Sequence, residues 1–220
     1  MCGRFTIRSS PQKVAEVFGL SELPLFEPRY NVAPTQQVPA VRLQDDRRQL
    51  GFLRWGLIPG WADDPKIGSR MINACADTVA EKPSYRQPLA QRRCLIVADG
   101  FYEWRSVDGK KQPYFIRLRD ERPFGFAGLW ERWSRGEQPI ESCTIVTTEA
   151  NAALAGLHDR MPVILDPRDF DLWLDPAVQE AERLTPLLRP YAGDDLRVSP
   201  VSTRVNSPTH EGPQCLAPAP

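Results

Sequence analysis

The sequence predicts a single α+β domain with a largely antiparallel, barrel-like sheet and flanking helices. Two observations carry this. Strand-like segments recur in hairpin order along most of the chain, and helical patterns stand apart from them instead of alternating with each strand. At 220 residues, with 41% apolar and 25% charged residues, the chain is long enough to bury a substantial core. The 22 prolines are spread throughout, which suggests ordered turns.

The elements follow in order. Ser10, Pro11 and Gly19 suit the N-cap, first turn and stop of a helix over 11–18, with Val14, Val17 and Phe18 on one face. Residues 20–37 read as irregular. VPAVRL at 38–43 is a strand, DDRRQ its turn, and LGFLRWGLI at 50–58 its return, ended by Pro59-Gly60. Residues 72–92 carry helical pattern in two pieces, broken near Pro83. CLIVA at 94–98 is apolar on both faces and reads as a central strand. Asp99-Gly100 and Asp108-Gly109 are hairpin signals, framing strands at 101–105 and 113–119. Further strands are expected at 124–130 and 142–148, a short helix at 149–157, and a strand at 161–165. Helical pattern returns over 167–188, interrupted at Pro176 and Pro186, before a last strand at 196–201. The domain is expected to span 1–206, with 207–220 a loose tail.

Lys plus Arg and Asp plus Glu both number 28, so the net charge is zero and no global field steers a polyanion. A nucleic-acid partner would need a local groove. No apolar run reaches the ~18 residues of a membrane span, and the N-terminus lacks the apolar stretch of a signal peptide. A cytoplasmic location is therefore expected, with no membrane partner. Five cysteines without a CxxC pair argue against a zinc site and a disulfide framework, so no metal is expected, and the reaction considered below for Cys2 implies no external cofactor.

Cys2 is the first residue with distinctive chemistry. Met1 precedes a small residue, which suits its removal. An N-terminal cysteine would then carry an amine and a thiol two carbons apart. The amine adds to an aldehyde as a Schiff base, and the thiol closes a five-membered thiazolidine with the advantage of an intramolecular step. An α-amine titrates at about 7.7–8.0, so far more of it is neutral at pH 7 than of a lysine. Cys2 equally suits a small buried apolar group. Glu103, flanked by aromatics on a hairpin strand, fits a carboxyl with raised proton affinity or a surface partner of Arg105. His158 in GLHDRMP fits an acid–base group or a helix C-cap. Asn73 fits an amide that orients a thiol or carbonyl, or simply a helix cap. Arg4, Arg70, Arg86 and Arg160 fit phosphate contacts or solvated charges, and Trp61 a base-stacking ring or a packed aromatic.

The segments MCGRFT (1–6), YNVAPTQ (30–36), RWGLIPGW (54–61), MINACADTVAEKPSYR (71–86) and RRCLIVADGFYEW (92–104) occur in that order, followed by FAGLWE (126–131), TIVTTEAN (144–151), LHDRMPVIL (157–165) and VSTRVNSP (201–208). Together they resemble the SOS response-associated peptidase family of abasic-site shielding proteins. The resemblance implies an α+β fold with a barrel-like sheet. It also implies a covalent sensor of abasic sites, in which Cys2 crosslinks to the ring-opened sugar during the DNA damage response. Asn73, Glu103 and His158 match the supporting catalytic positions. Arg4, Trp61 and Arg160 match positions lining the single-stranded DNA groove, and Gly3, Pro34, Arg70, Arg86 and Thr147 are further candidates for DNA contact. Single-stranded DNA bearing an abasic site is the implied partner, replication-fork proteins are further candidates, and a monomer bound to the nucleoid is the default state. The family's N-A-R-x-E-T is here Asn73-Ala74-Cys75-Ala76-Asp77-Thr78, which removes an arginine and shortens a carboxylate. Two other functions compete: a cysteine peptidase acting through Cys2, confined in one form to removing Met1, and a non-covalent single-strand binder.

Overall fold

The computed structural model describes residues 2–219. Its strands are β1 (Phe5–Ile7), β2 (Arg29–Val32), β3 (Gln37–Gln44), β4 (Arg47–Trp55), β5 (Asn73–Cys75), β6 (Arg93–Ala98), β7 (Gly100–Val107), β8 (Lys110–Leu118), β9 (Phe124–Trp133), β10 (Ile140–Glu149), β11 (Arg160–Pro162), β12 (Ile164–Leu165) and β13 (Leu196–Pro200). The α-helices are short: α1 (Pro11–Phe18), α2 (Pro83–Gln91), α3 (Phe170–Leu174) and α4 (Ala181–Leu184). Helix α1 begins and ends as its sequence dictates. The Ser10 hydroxyl accepts from the Lys13 amide, and Gly19 takes a left-handed conformation (φ 63) that stops the helix.

The strands form two sheets. The smaller has the order β13-β8-β7-β1-β2. In the larger, β10 pairs with β4, β4 with β3, β3 with β6, β6 with β9, and β9 with β10 again, so five strands close into a ring. Only the β10–β4 contact in that ring is parallel. β5 lies parallel to β10, and β11 antiparallel to it further along. Where β10 and β9 splay apart, the chain hops at Val163 from pairing β10 to pairing β9 as β12. This is the barrel-like α+β arrangement expected, and Phe5 ties the small sheet to the ring by packing 5.1 Å from Trp55 and 6.0 Å from Phe126.

Several local expectations need correction. Asp99-Gly100 does not turn a hairpin. β6 belongs to the large sheet and β7 to the small one, so the chain changes sheets there. Gly100 is needed for space, since a Cβ would meet the Phe115 ring at 2.2 Å. Asp108 and Gly109 do form the hairpin turn, both with positive φ (49 and 76). Asn73 opens a strand and caps no helix, residues 152–157 are turns instead of helix, and the irregular 20–37 contains β2. The tail is not loose. Cys215 is buried, Pro213–Leu216 forms a 3-10 turn, and Pro218 bridges to Val201.

Candidate functional site

Cys2 precedes β1 and is wholly buried. Two main-chain carbonyls around it are anchored. The Asn73 side-chain amide donates to the Cys2 carbonyl at 2.9 Å, the Tyr102 amide donates to the Arg4 carbonyl at 3.0 Å, and the Cys2 thiol lies 4.0 Å from that same carbonyl. Asn73 is delivered by β5, registered on β10 through Asn73 opposite Ile145. Its Oδ1 is buried and has no hydrogen-bond partner among the described residues. Burial, and then the Glu103 carboxylate, push the Cys2 thiol well above its ordinary value.

Glu103 sits on β7 opposite Tyr114, 3% exposed. Burial pushes its carboxyl above the usual carboxylate range; His158 opposes that shift and Asp159 adds to it. His158 follows the 152–157 turns, its amide bonded to the Leu154 carbonyl at 3.1 Å. Its Nδ1 lies 3.0 Å from the Arg160 amide and 2.7 Å from an Asp159 carboxylate oxygen. The first contact needs an unprotonated Nδ1 and the second a protonated one. The two contacts therefore call for different tautomers of the ring.

Glu103 and His158 open onto a cleft of ≈ 700 Å³, shared with Arg4, Trp104, Lys111 and Asn206. Trp104, Lys111 and Asn206 escaped sequence reasoning. Strand alternation along β7 puts Trp104 on the face opposite Glu103, yet it lines the cleft, with its indole donating to Asn206 at 2.7 Å. The four residues expected to do chemistry thus meet: Asn73 bonds Cys2, and Cys2, Glu103 and His158 are linked electrostatically.

The expected DNA contacts are less uniform. Gly3 and Pro34 are half-buried, and Arg70, Arg86 and Trp61 are exposed but do not line the cleft. Thr147 is 1% exposed with its hydroxyl directed at the Ala74 carbonyl, so its side chain offers no surface to a strand. Arg4 is held by Asn31 and Val205. Arg160 donates to Asp77 at 2.7 Å and to the Thr147 carbonyl at 2.6 Å, and lies 2.9 Å from the Cys75 sulfur. Both departures from the family motif therefore fall on one guanidinium. The shorter Asp77 carboxylate still reaches Arg160, and the Cys75 thiol donates to it as well (3.1 Å).

A buried second-residue cysteine meeting an amide, a carboxyl and an imidazole, on a ring-closed α+β scaffold, defines a class of single-domain proteins organised around their own first residues. The family model described as SOS response associated peptidase (SRAP) matches residues 1–208, and the chain belongs to that family. It is 46% identical over 221 residues to the abasic site processing protein YoqW of Bacillus subtilis (strain 168), covering 98% of this chain and 99% of that one. It is 35% identical to the abasic site processing protein HMCES of Gallus gallus, over 88% of this chain and 67% of that protein. A crystal structure of a protein from Bacteroides thetaiotaomicron superposes with a TM-score of 0.87 at 28% identity, covering 99% of this chain and all of that one.

Proposed function

We propose that this protein processes abasic sites in single-stranded DNA by capturing them covalently. With Met1 removed, the neutral Cys2 amine adds to the aldehyde carbon of the ring-opened sugar. Loss of water leaves an imine. The thiol then gives its proton to the Glu103 carboxylate as its sulfur adds to the carbon of the protonated imine, closing a thiazolidine with one water released overall. Glu103, whose proton affinity burial raises, donates the proton that turns the carbinolamine oxygen into a leaving water, and as carboxylate takes the thiol proton for ring closure. The Asn73 Oδ1, which has no partner among the described residues, accepts from the sugar hydroxyl freed by ring opening. His158 moves protons at the sugar.

The observation that carries this reading is the meeting of Asn73 and Glu103 at a buried Cys2 beside an open cleft. A buried residue is reached only by a sugar swung out of its stack, which favours single strands. The relatives are named abasic site processing proteins, which supports the abasic-site part of this reading.

The test is incubation of Met1-free protein with single-stranded DNA bearing one abasic site, followed by a denaturing gel. A shifted band is expected, and none from protein that retains Met1. A missing band with Cys2 confirmed as first residue, or an equal band with Met1 still attached, refutes the proposal.

A further inference from the structure

The chain after β13 folds back on its own beginning, and part of that segment lies beyond the stretch matched by the family model. Asn31 is the junction. It is 0% exposed, and its Oδ1 accepts from the Arg4 guanidinium at 2.8 Å. Its Nδ2 donates to the carbonyls of Ser207 (2.9 Å) and His210 (2.7 Å), with Val205 at 3.4 Å. The same Arg4 nitrogen donates to the Val205 carbonyl at 2.8 Å. Glu211 closes the other side, its carboxylate accepting from the Tyr30 and Asn31 amides and from the Arg29 guanidinium at 2.8 Å. The oxygens that hold Arg4 are uncharged. They fix where the side chain lies without neutralising it.

We propose that Asn31 is a positioning residue for the crosslinking reaction, clamping Arg4 to the segment 205–211 and thereby fixing where residues 2–4 present the Cys2 amine. The proposal rests on the crosslinking reading above. A chain terminus is ordinarily the loosest part of a fold. A nucleophile there reacts fast only if other groups hold it near its target, since a misplacement of about 1 Å can cost on the order of a hundredfold. Asn73 holds the Cys2 carbonyl and Tyr102 holds the Arg4 carbonyl. The Arg4 side chain is the third hold, and Asn31 is the buried group that joins it to the C-terminal segment.

Two variants of the full chain test this. Asn31→Asp keeps an oxygen for Arg4 but sets a carboxylate against the carbonyls that Nδ2 serves. Glu211→Gln keeps the shape of the other anchor, on a side chain 37% exposed, and weakens its grip on Arg29. Single-turnover crosslinking to abasic single-stranded DNA is followed against DNA concentration, yielding a saturating rate, a half-saturating concentration and a final amplitude. Asn31→Asp is expected to lower the saturating rate about tenfold or more, with half-saturation within about twofold and full amplitude. Glu211→Gln is expected to lower it several-fold in the same way. Loss of amplitude at an unchanged rate would mark a structural role only and overturn the proposal. So would a saturating rate within twofold of the parent in both variants. If the parent itself forms no adduct, the crosslinking reading fails first and the positioning role goes with it; if the parent reacts and the variants match it, only the positioning role fails.

Discussion

Asp99 offers a sharp test of how the start of the chain is held. It is 1% exposed and sits where the chain passes from the large sheet to the small one. One carboxylate oxygen accepts from the Thr6 hydroxyl at 2.6 Å and the Arg8 Nε at 3.2 Å. The other accepts from the Ser9 amide at 2.6 Å, the Ser9 hydroxyl at 2.9 Å and the Arg8 amide. Asp99→Ala removes every one of these acceptors. The hydroxyls can turn elsewhere, and that of Thr6 already lies 3.3 Å from the Gly100 carbonyl. The Arg8 and Ser9 amides are fixed by the backbone. Stranding them costs about 1–3 kcal/mol each, and with weakened hydroxyl bonds the loss is about 3–5 kcal/mol. Asp99→Asn keeps one oxygen for the two amides and lets the Thr6 hydroxyl accept from the new amide, so its cost is about 1–2 kcal/mol. Urea unfolding of the three proteins measures both differences. A loss below about 1 kcal/mol for alanine, or an asparagine variant as unstable as alanine, would refute the reasoning.

Other consequences follow from the site. Glu103→Gln should slow crosslinking and flatten its alkaline limb, because the parent carboxyl, held high by burial, loses its proton as pH rises through its raised value; a parallel pH–rate curve would remove Glu103 from the proton transfer. The same shift has a stability sign. The folded state binds this proton more tightly, so its contribution is full below the ordinary carboxyl value and is lost as pH rises through the raised one; denaturation of Glu103→Gln should lack that decline. Trp61→Ala, at a ring 54% exposed, should weaken single-strand binding by about 1–3 kcal/mol while unfolding stays within about 0.5 kcal/mol of the parent. Asp77→Asn should free the Arg160 guanidinium, tightening DNA binding and steepening its salt dependence by about one phosphate contact; an unchanged slope would mean Arg160 does not meet the strand.

What could be read from the sequence was what depends on neighbours in the chain. Helix α1 is set by Ser10, Pro11 and Gly19, and the β7–β8 hairpin by Asp108-Gly109, each within a few residues. What could not be read depends on distant partners. Asp99-Gly100 carries the same dipeptide signal, yet Asp99 is taken up by Arg8 and Ser9, some ninety positions away, and Gly100 by the Phe115 ring. Asn73 carries a cap signal, but pairing with Ile145 draws it into a strand. The polar, proline-containing tail reads as loose because its anchors, Asn31 and Glu211, meet only in three dimensions. The four residues expected to do chemistry were found through motif resemblance, and zero net charge gave no hint of a polyanionic partner. Local pattern could not have located Trp104, Lys111 or Asn206 at the cleft.

β10 serves four neighbours. One edge carries β4 and then β5; the other carries β9 and then β11. Thr147 is opposite Cys75 on one side and Pro162 on the other, so the strand bearing Asn73 and the one that follows His158 are measured from a single ruler. Slippage by one residue on either edge would turn side chains to the opposite face and shift one reactive group against the other by about 3.3 Å. Variation along the exposed loops is thus cheap for this architecture, whereas any insertion within 145–149 would part amide from imidazole even if the barrel still closed.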